Sequence, residues 1–167
     1  MESYGMAAAR GAVAGAAGSV VQTGIGLALD KFLLPPKQHN NIAPRLVKRL
    51  AQQTGHGAHG PRDWILGTLL HLGYGAGWGA FLGVARRGTA LPPLPLGALT
   101  GGLIYALAFS KRGLGTVTAT EPPPQVRDWR KHTSLVSVAW GYALVTAFLD
   151  QWLARTGVSG VARLIGR

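Results

Sequence analysis

Residues Trp64 to Ala85 read WILGTLLHLGYGAGWGAFLGVA and stand between the charged residues Asp63 and Arg86. These 22 residues include no Lys, Arg, Asp or Glu. A helix needs about 20 mainly apolar residues to cross the hydrocarbon core of a bilayer. The stretch therefore predicts a membrane-spanning helix, and this decides the fold class of the chain.

The same stretch predicts a helix face suited to close packing. Steps of four residues from His71 lead to Gly75, Gly79 and Gly83, which share one side of an α-helix. Because glycine has no side chain beyond a hydrogen atom, the backbones of two membrane helices can approach closely there. We expect another helix to pack against this face.

Three further charge-poor runs predict three further spans, so that the spans cover about 11–33, 64–86, 96–110 and 133–154. The first of them carries Gly11 and Gly15 on a face of small and polar residues, which again favours close packing. The sequence thus predicts an all-α integral membrane protein with a single membrane domain over residues 1–167. Its expected architecture is a four-helix bundle made of two helical hairpins.

A short amphipathic helix is predicted after the first span, over about residues 41–53. Pro35 and Pro36 end the first span, because proline lacks the amide hydrogen and disfavours helix in the residue before it. Apolar and basic residues then alternate at helical spacing, which is typical of a helix lying on a membrane surface. These residues are Ile42, Leu46, Val47 and Leu50 on the apolar side, and Arg45, Lys48 and Arg49 beside or opposite it.

The composition favours lipid over nucleic acid as the partner of the positive charge. The chain has a formal net charge of +11, yet 47% of its residues are hydrophobic and 14% are charged. Most of the charges lie between the apolar runs, where they can meet anionic lipid headgroups. We therefore expect the lipid bilayer and other membrane helices as partners, and no nucleic acid. The absence of cysteine excludes a disulfide framework and a thiolate metal site.

An offset of 86 residues aligns two parts of the chain. It places Gly11-Ala-Val-Ala-Gly15-Ala on Gly97-Ala-Leu-Thr-Gly101-Gly, and Pro36 on Pro122. Two features in one register predict a duplicated hairpin, in which each odd-numbered span opens with a pair of glycines and is followed by proline.

Four ionisable residues are expected in the same half of the bundle: Asp30, His71, Glu121 and His132. Ionisable groups at membrane depth are rare and point to function, so these four form a candidate polar or ligand site for protons or a metal. His71 has a plainer alternative, which is a hydrogen bond to a neighbouring helix. The sequence identifies no particular metal or cofactor.

Several motifs resemble the YagU-like small bacterial inner-membrane proteins. They are Leu34-Pro35-Pro36 after the first span, His71 followed by Gly73-Tyr-Gly75, Gly97-Ala-Leu99 in the third span, and a proline-flanked loop leading to His132. The resemblance implies a four-helix protein of the bacterial inner (plasma) membrane, with no catalytic residues to carry over. Eleven of the 17 Lys and Arg residues lie in loops 31–63 and 111–132, so the positive-inside bias predicts that these loops are cytoplasmic.

Two classes of function remain open from the sequence. The first is a non-enzymatic structural or accessory subunit that packs with itself or with a larger membrane complex through glycine-rich helix faces. The second is a small transporter or proton-conducting protein whose interior polar groups are Gln22, Asp30, His71, Tyr142 and Asp150. No recognisable catalytic constellation is present in the sequence, so we do not expect an enzyme.

Overall fold

The fold is described by a computed structural model over residues 2–36, 45–48, 52 and 61–156. All the regular secondary structure in these residues is helical, which confirms the all-α prediction. The long helices are α1 (Tyr4–Phe32), α2 (Pro61–Thr89), α3 (Pro93–Phe109) and α5 (Trp129–Arg155). A short helix α4 (Leu114–Val117) and a 3-10 turn (Pro124–Val126) lie between α3 and α5.

Four helical segments of the described chain are long and apolar enough to cross a membrane: Tyr4–Phe32, Trp64–Thr89, Pro93–Val117 and Trp129–Arg155. Large apolar side chains are exposed on their outer faces, among them Val13, Leu27, Leu69, Leu99 and Phe148. Small and polar side chains are buried between them, among them Ser19, Ser134, Thr146 and Asp150. A protein in lipid has no reason to bury its large apolar side chains, so this distribution supports a multi-pass membrane protein.

The helices are longer than the charge-free runs that predicted them. α1 begins at Tyr4 and includes Arg10, and α5 begins at Trp129 and includes Lys131. The Asp128 side chain caps α5 by accepting a hydrogen bond from the Lys131 backbone N–H at 2.8 Å. Arginine and lysine are good helix formers, so the helices continue past the ends of the charge-free runs, and both side chains have acidic partners in the structure.

The turn from α2 to α3 is short. Ala90 has a φ of 53°, in the left-handed region that commonly follows the end of a helix. Helix α3 then begins at Pro93, three residues before the predicted start, because proline is well tolerated in the first helical turn. Within the predicted surface helix at 41–53, residues 45–48 and 52 are helical. The rest of that prediction lies outside the described residues.

Three helix pairs make most of the tertiary contacts: α1 with α2, α3 with α5, and α1 with α5. Each predicted hairpin therefore packs on itself, and the α1–α5 contact joins the two. Leu82 of α2, Leu96 of α3 and Ala147 of α5 form a smaller buried cluster near one end. A second cluster has Ile104, Tyr142 and Ala143 at its centre.

Glycine allows α1 and α2 to meet backbone to backbone. A Cβ atom added to Gly79 would lie 2.6 Å from the Gly15 Cα, and one added to Gly11 would lie 3.1 Å from the Gly83 Cα. A Cβ on Gly75 would collide with the Ser19 side chain. We call this contact the glycine seam; its members are Gly11, Gly15, Gly75, Gly79 and Gly83.

The glycine pair aligned by the 86-residue offset has a similar role in the second hairpin. A Cβ on Gly97 would lie 3.0 Å from the Leu144 Cα, and one on Gly101 would lie 3.0 Å from the Trp140 Cα. Thus the first pair packs against α2 and the second against α5, in each case the next long helix of the chain. The opposing helix offers glycine in one hairpin and larger residues in the other.

Replacement of Gly79 by alanine should destabilise the protein, whereas replacement of Gly77 by alanine should not. The Cβ at Gly79 meets the backbone of Gly15, and overpacking of this kind costs about 1–3 kcal/mol. A Cβ at Gly77 meets no described atom within 4 Å. Titration of sodium dodecyl sulfate into the protein in mild detergent would give both free energies of unfolding. Equal stabilities would show that α1 and α2 are further apart than described.

Candidate functional site

The four residues of the predicted ligand site do not converge. His71 contacts α1, His132 contacts Tyr105, and Glu121 contacts Lys131. Within the described residues, no group of three or more His, Cys, Asp or Glu side chains is arranged to hold a metal ion. The two histidines therefore take part in separate polar contacts, whereas Glu121 and Asp30 are both charged neighbours of Lys131.

His71 joins α2 to α1. Its Nε2 lies 3.3 Å from the Ser19 carbonyl oxygen and 3.3 Å from the Thr23 Oγ1. When Nε2 carries the proton, it donates to the Ser19 carbonyl. The predicted hydrogen bond to a neighbouring helix is present, but its partners are neither Asp30 nor His132.

A buried ion pair joins the connection between α3 and α5 to the start of α5. Lys131 Nζ lies 3.2 Å from Glu121 Oε1, and the two residues are 4% and 2% exposed. Asp30 is also buried, and Asp30 and Arg45 are charged neighbours of Lys131. The acidic neighbours Glu121 and Asp30 favour the charge of the buried lysine, whereas the like charge of Arg45 opposes it. A cavity of about 410 Å³ lies nearby, and Arg45 and Lys48 are among its lining residues.

A second buried ion group lies at the opposite end, near the start of α1 and the end of α5. Asp150 is 0% exposed, and its Oδ1 lies 2.7 Å from Arg10 Nε. Its Oδ2 lies 2.6 Å from Arg86 Nε, but the N–H does not point at the oxygen, so we treat this contact as an ion pair without a hydrogen bond. Glu2 contacts Arg10 from the outside. We call Arg10, Arg86 and Asp150 the terminal triad; it joins α1, α2 and α5.

A cavity of about 410 Å³ opens beside the terminal triad. Its lining includes Glu2, Arg10, Arg86 and Arg87, with Leu91 and Pro92 from the α2–α3 turn. Arg87 Nε donates to the Glu2 carbonyl oxygen at 2.6 Å, and its guanidinium lies 3.8 Å from the centre of the Tyr4 ring. We call this space the arginine cavity.

Polar side chains between the two ion groups face inward and bond to neighbouring helices. Tyr142 donates its hydroxyl hydrogen to the Gly75 carbonyl oxygen at 2.5 Å. Gln22 Nε2 donates to the Val138 carbonyl oxygen at 3.2 Å. Thr146 is fully buried as well, but its hydroxyl has no hydrogen-bond partner among the described residues, so it is not one of these bonds. These bonds fix helix against helix, since each side chain is held by the backbone of another span.

Sequence reasoning places Asp150 in the interior and Glu121 in the connection before the last span, but it misses their basic partners. Arg10 and Arg86 stand at the edges of charge-free runs, and Lys131 belongs to a charged connection, so each is expected outside a span. The pairs link positions 140, 64 and 10 residues apart. A single sequence carries no signal that brings such distant positions together.

No family model, curated protein or solved structure matches the chain. The resemblance to YagU-like proteins therefore stays a prediction from the motifs. Any functional assignment must accordingly rest on the geometry of the chain itself.

Asp150→Asn should be strongly destabilising. The substitution keeps the size of the side chain but leaves Arg10 and Arg86 without their shared anion, and breaking a buried pair in this way costs about 3–5 kcal/mol. Glu2→Gln is the matched control: the Glu2 side chain is 35% exposed, so removing its charge should cost less than about 1 kcal/mol. Unfolding in mild detergent would compare them. An Asp150→Asn protein as stable as Glu2→Gln would contradict the terminal triad.

His71→Leu should lower the free energy of unfolding by about 1 kcal/mol, the usual scale of a hydrogen bond between membrane helices. His71→Gln should be nearly harmless, because an amide can also donate to the Ser19 carbonyl. The same unfolding measurement applies to both variants. A bound metal or haem that is lost in His71→Gln while the fold stays intact would contradict this structural role.

Proposed function

We propose that the protein is a non-enzymatic structural or accessory membrane subunit, a four-helix bundle that associates with another membrane helix from a second copy or a larger complex. The observation that carries the proposal is an unused glycine pair on the outside of α2. Gly73 and Gly77 are exposed, one helical turn apart, and a Cβ on either would meet no described atom within 4 Å.

This outer pair matters because the glycine seam is already occupied. All five glycines predicted to pack against another helix lie in the α1–α2 contact, so they offer no surface to a partner. Gly73 and Gly77 have the spacing at which two membrane helices cross closely. Exposed Leu69, Leu70 and Phe81 flank the pair and would extend the contact.

The inward polar groups also favour a structural role. Tyr142, Gln22 and His71 each contact a backbone carbonyl of another helix. A hydrogen bond of this kind anchors a side chain, whereas a conducting path needs groups that can exchange partners with water or a proton. The interior is thus organised to hold one arrangement of helices.

A small transporter or proton-conducting protein is the second candidate. The observation that favours it is the polar row of Tyr142, Thr146 and Asp150, which faces the interior and ends in an ion group. Proton flux into liposomes containing the purified protein would distinguish the two functions. Flux that disappears in Tyr142→Phe, with the fold retained, would favour conduction.

Leucine at Gly73 or Gly77 should abolish association while leaving the isolated bundle stable. The branched side chain would separate the two backbones where they cross. Gly24→Leu is the matched control, because Gly24 is an exposed glycine on α1 with no described atom near its Cβ and no glycine one turn away. Mass analysis of the protein after purification in mild detergent would report both self-association and a co-eluting partner. A wild-type protein that elutes alone as a monomer would overturn the proposal.

A further inference from the structure

The arginine cavity has more hydrogen-bond donors than the described residues use. Each guanidinium carries five N–H groups. Arg86 meets Asp150 through Nε, and Arg87 meets the Glu2 carbonyl through Nε. Among the described residues, no acceptor is hydrogen-bonded to the Nη atoms of Arg86 or Arg87. The cavity and its supporting triad hold three arginines against the two carboxylates of Glu2 and Asp150, which leaves one net positive charge.

With α1 and α2 centred in a bilayer, the cavity lies near the boundary between the hydrocarbon core and the headgroups. Helices α1 and α2 have 29 residues each and are therefore about 43 Å long, which exceeds a hydrocarbon core of about 30 Å by roughly 6 to 7 Å at each end. Arg10 is six residues from the start of α1, and Arg86 is three residues from the end of α2. These positions correspond to about 9 Å and 4.5 Å along the helix axes. The guanidinium groups thus lie near the boundary between hydrocarbon and headgroups.

We propose that the arginine cavity binds the phosphate of an anionic phospholipid headgroup. Guanidinium groups match phosphate oxygens in geometry and charge, and such contacts are among the stronger hydrogen bonds in proteins. Leu91 and Pro92 supply an apolar wall of the cavity, against which the glycerol and upper acyl chain of a lipid can pack. Basic pockets between membrane helices are a recurrent form of headgroup recognition.

Glu2 would compete with a lipid phosphate for the arginine side chains of this site. Its carboxylate contacts Arg10, and its carbonyl oxygen accepts from Arg87. Both groups would occupy donors that a phosphate also uses. Removal of the Glu2 charge should therefore strengthen lipid binding, a gain that misfolding cannot produce.

Native mass spectrometry of the protein in mild detergent tests the proposal, with phosphatidylglycerol and phosphatidylcholine added separately. Both lipids contain a phosphodiester, but phosphatidylcholine is zwitterionic, because it also carries a cationic choline group that the arginines repel. We expect one tightly retained phosphatidylglycerol and about tenfold weaker retention of phosphatidylcholine, the effect of one charge-assisted contact. Equal retention of both lipids would overturn the proposal.

Three variants give the matched comparison. Arg87→Gln should weaken phosphatidylglycerol binding by about tenfold, and Glu2→Gln should strengthen it. Arg155→Gln removes an exposed arginine at the same end of the protein, outside the cavity, and should leave binding unchanged. Equal effects of Arg87→Gln and Arg155→Gln would show general charge attraction and overturn the site. A Glu2→Gln protein that binds more weakly would also contradict it.

A competition experiment with excess inorganic phosphate distinguishes binding of a lipid phosphate from binding of free phosphate. Displacement of phosphatidylglycerol by phosphate would show that the cavity recognises the oxyanion alone and can be filled from solution, which would overturn the lipid assignment. Retention of the lipid would show that the acyl chain contributes and that the membrane is the source. The site is independent of association through Gly73 and Gly77, so failure of either proposal leaves the other standing.

Discussion

The close approach of α1 and α2 along the glycine seam is the constraint on which the rest of the structure depends. The two helices run antiparallel, so contact between Gly11 and Gly83 brings Arg10 and Arg86 to the same end. Two guanidinium groups held together inside a protein require an anion between them. Asp150 of α5 supplies it, so the position of α5 follows electrostatically from the packing of the first hairpin.

Hydrogen bonds between helices add to the close packing that the glycine seam allows. Between helices in lipid the hydrophobic effect gives little attraction, and packing and hydrogen bonds must hold the spans together. The contact of Tyr142 with Gly75 and that of Gln22 with Val138 both reach from one hairpin to the other. These two hydrogen bonds fix the position of α5 along the axes of α1 and α2, because each donor contacts one particular backbone carbonyl.

The number of long helices and their approximate positions could be predicted from the sequence, because freedom from charge over some 20 residues is a local property. The starts of α1 and α5 could not. Arg10 and Lys131 mark the edges of the charge-free runs, but arginine and lysine are good helix formers, so the helices extend past them to Tyr4 and Trp129. The expected ligand group of Asp30, His71, Glu121 and His132 stays a prediction, because a shared half of a bundle does not by itself bring side chains within bonding distance.

The members of the terminal triad are also synthesised in a fixed order, with the two arginines before the aspartate. Chains are synthesised from the N-terminus, so Arg10 and Arg86 enter the membrane before Asp150, which lies near the end of the last described helix. Until α5 arrives, the first three long helices carry two cations at the headgroup boundary without the carboxylate that pairs them. Packing of α5 against the first hairpin is therefore the step that supplies the shared anion, and a chain that ended before Asp150 would keep Arg10 and Arg86 side by side without it.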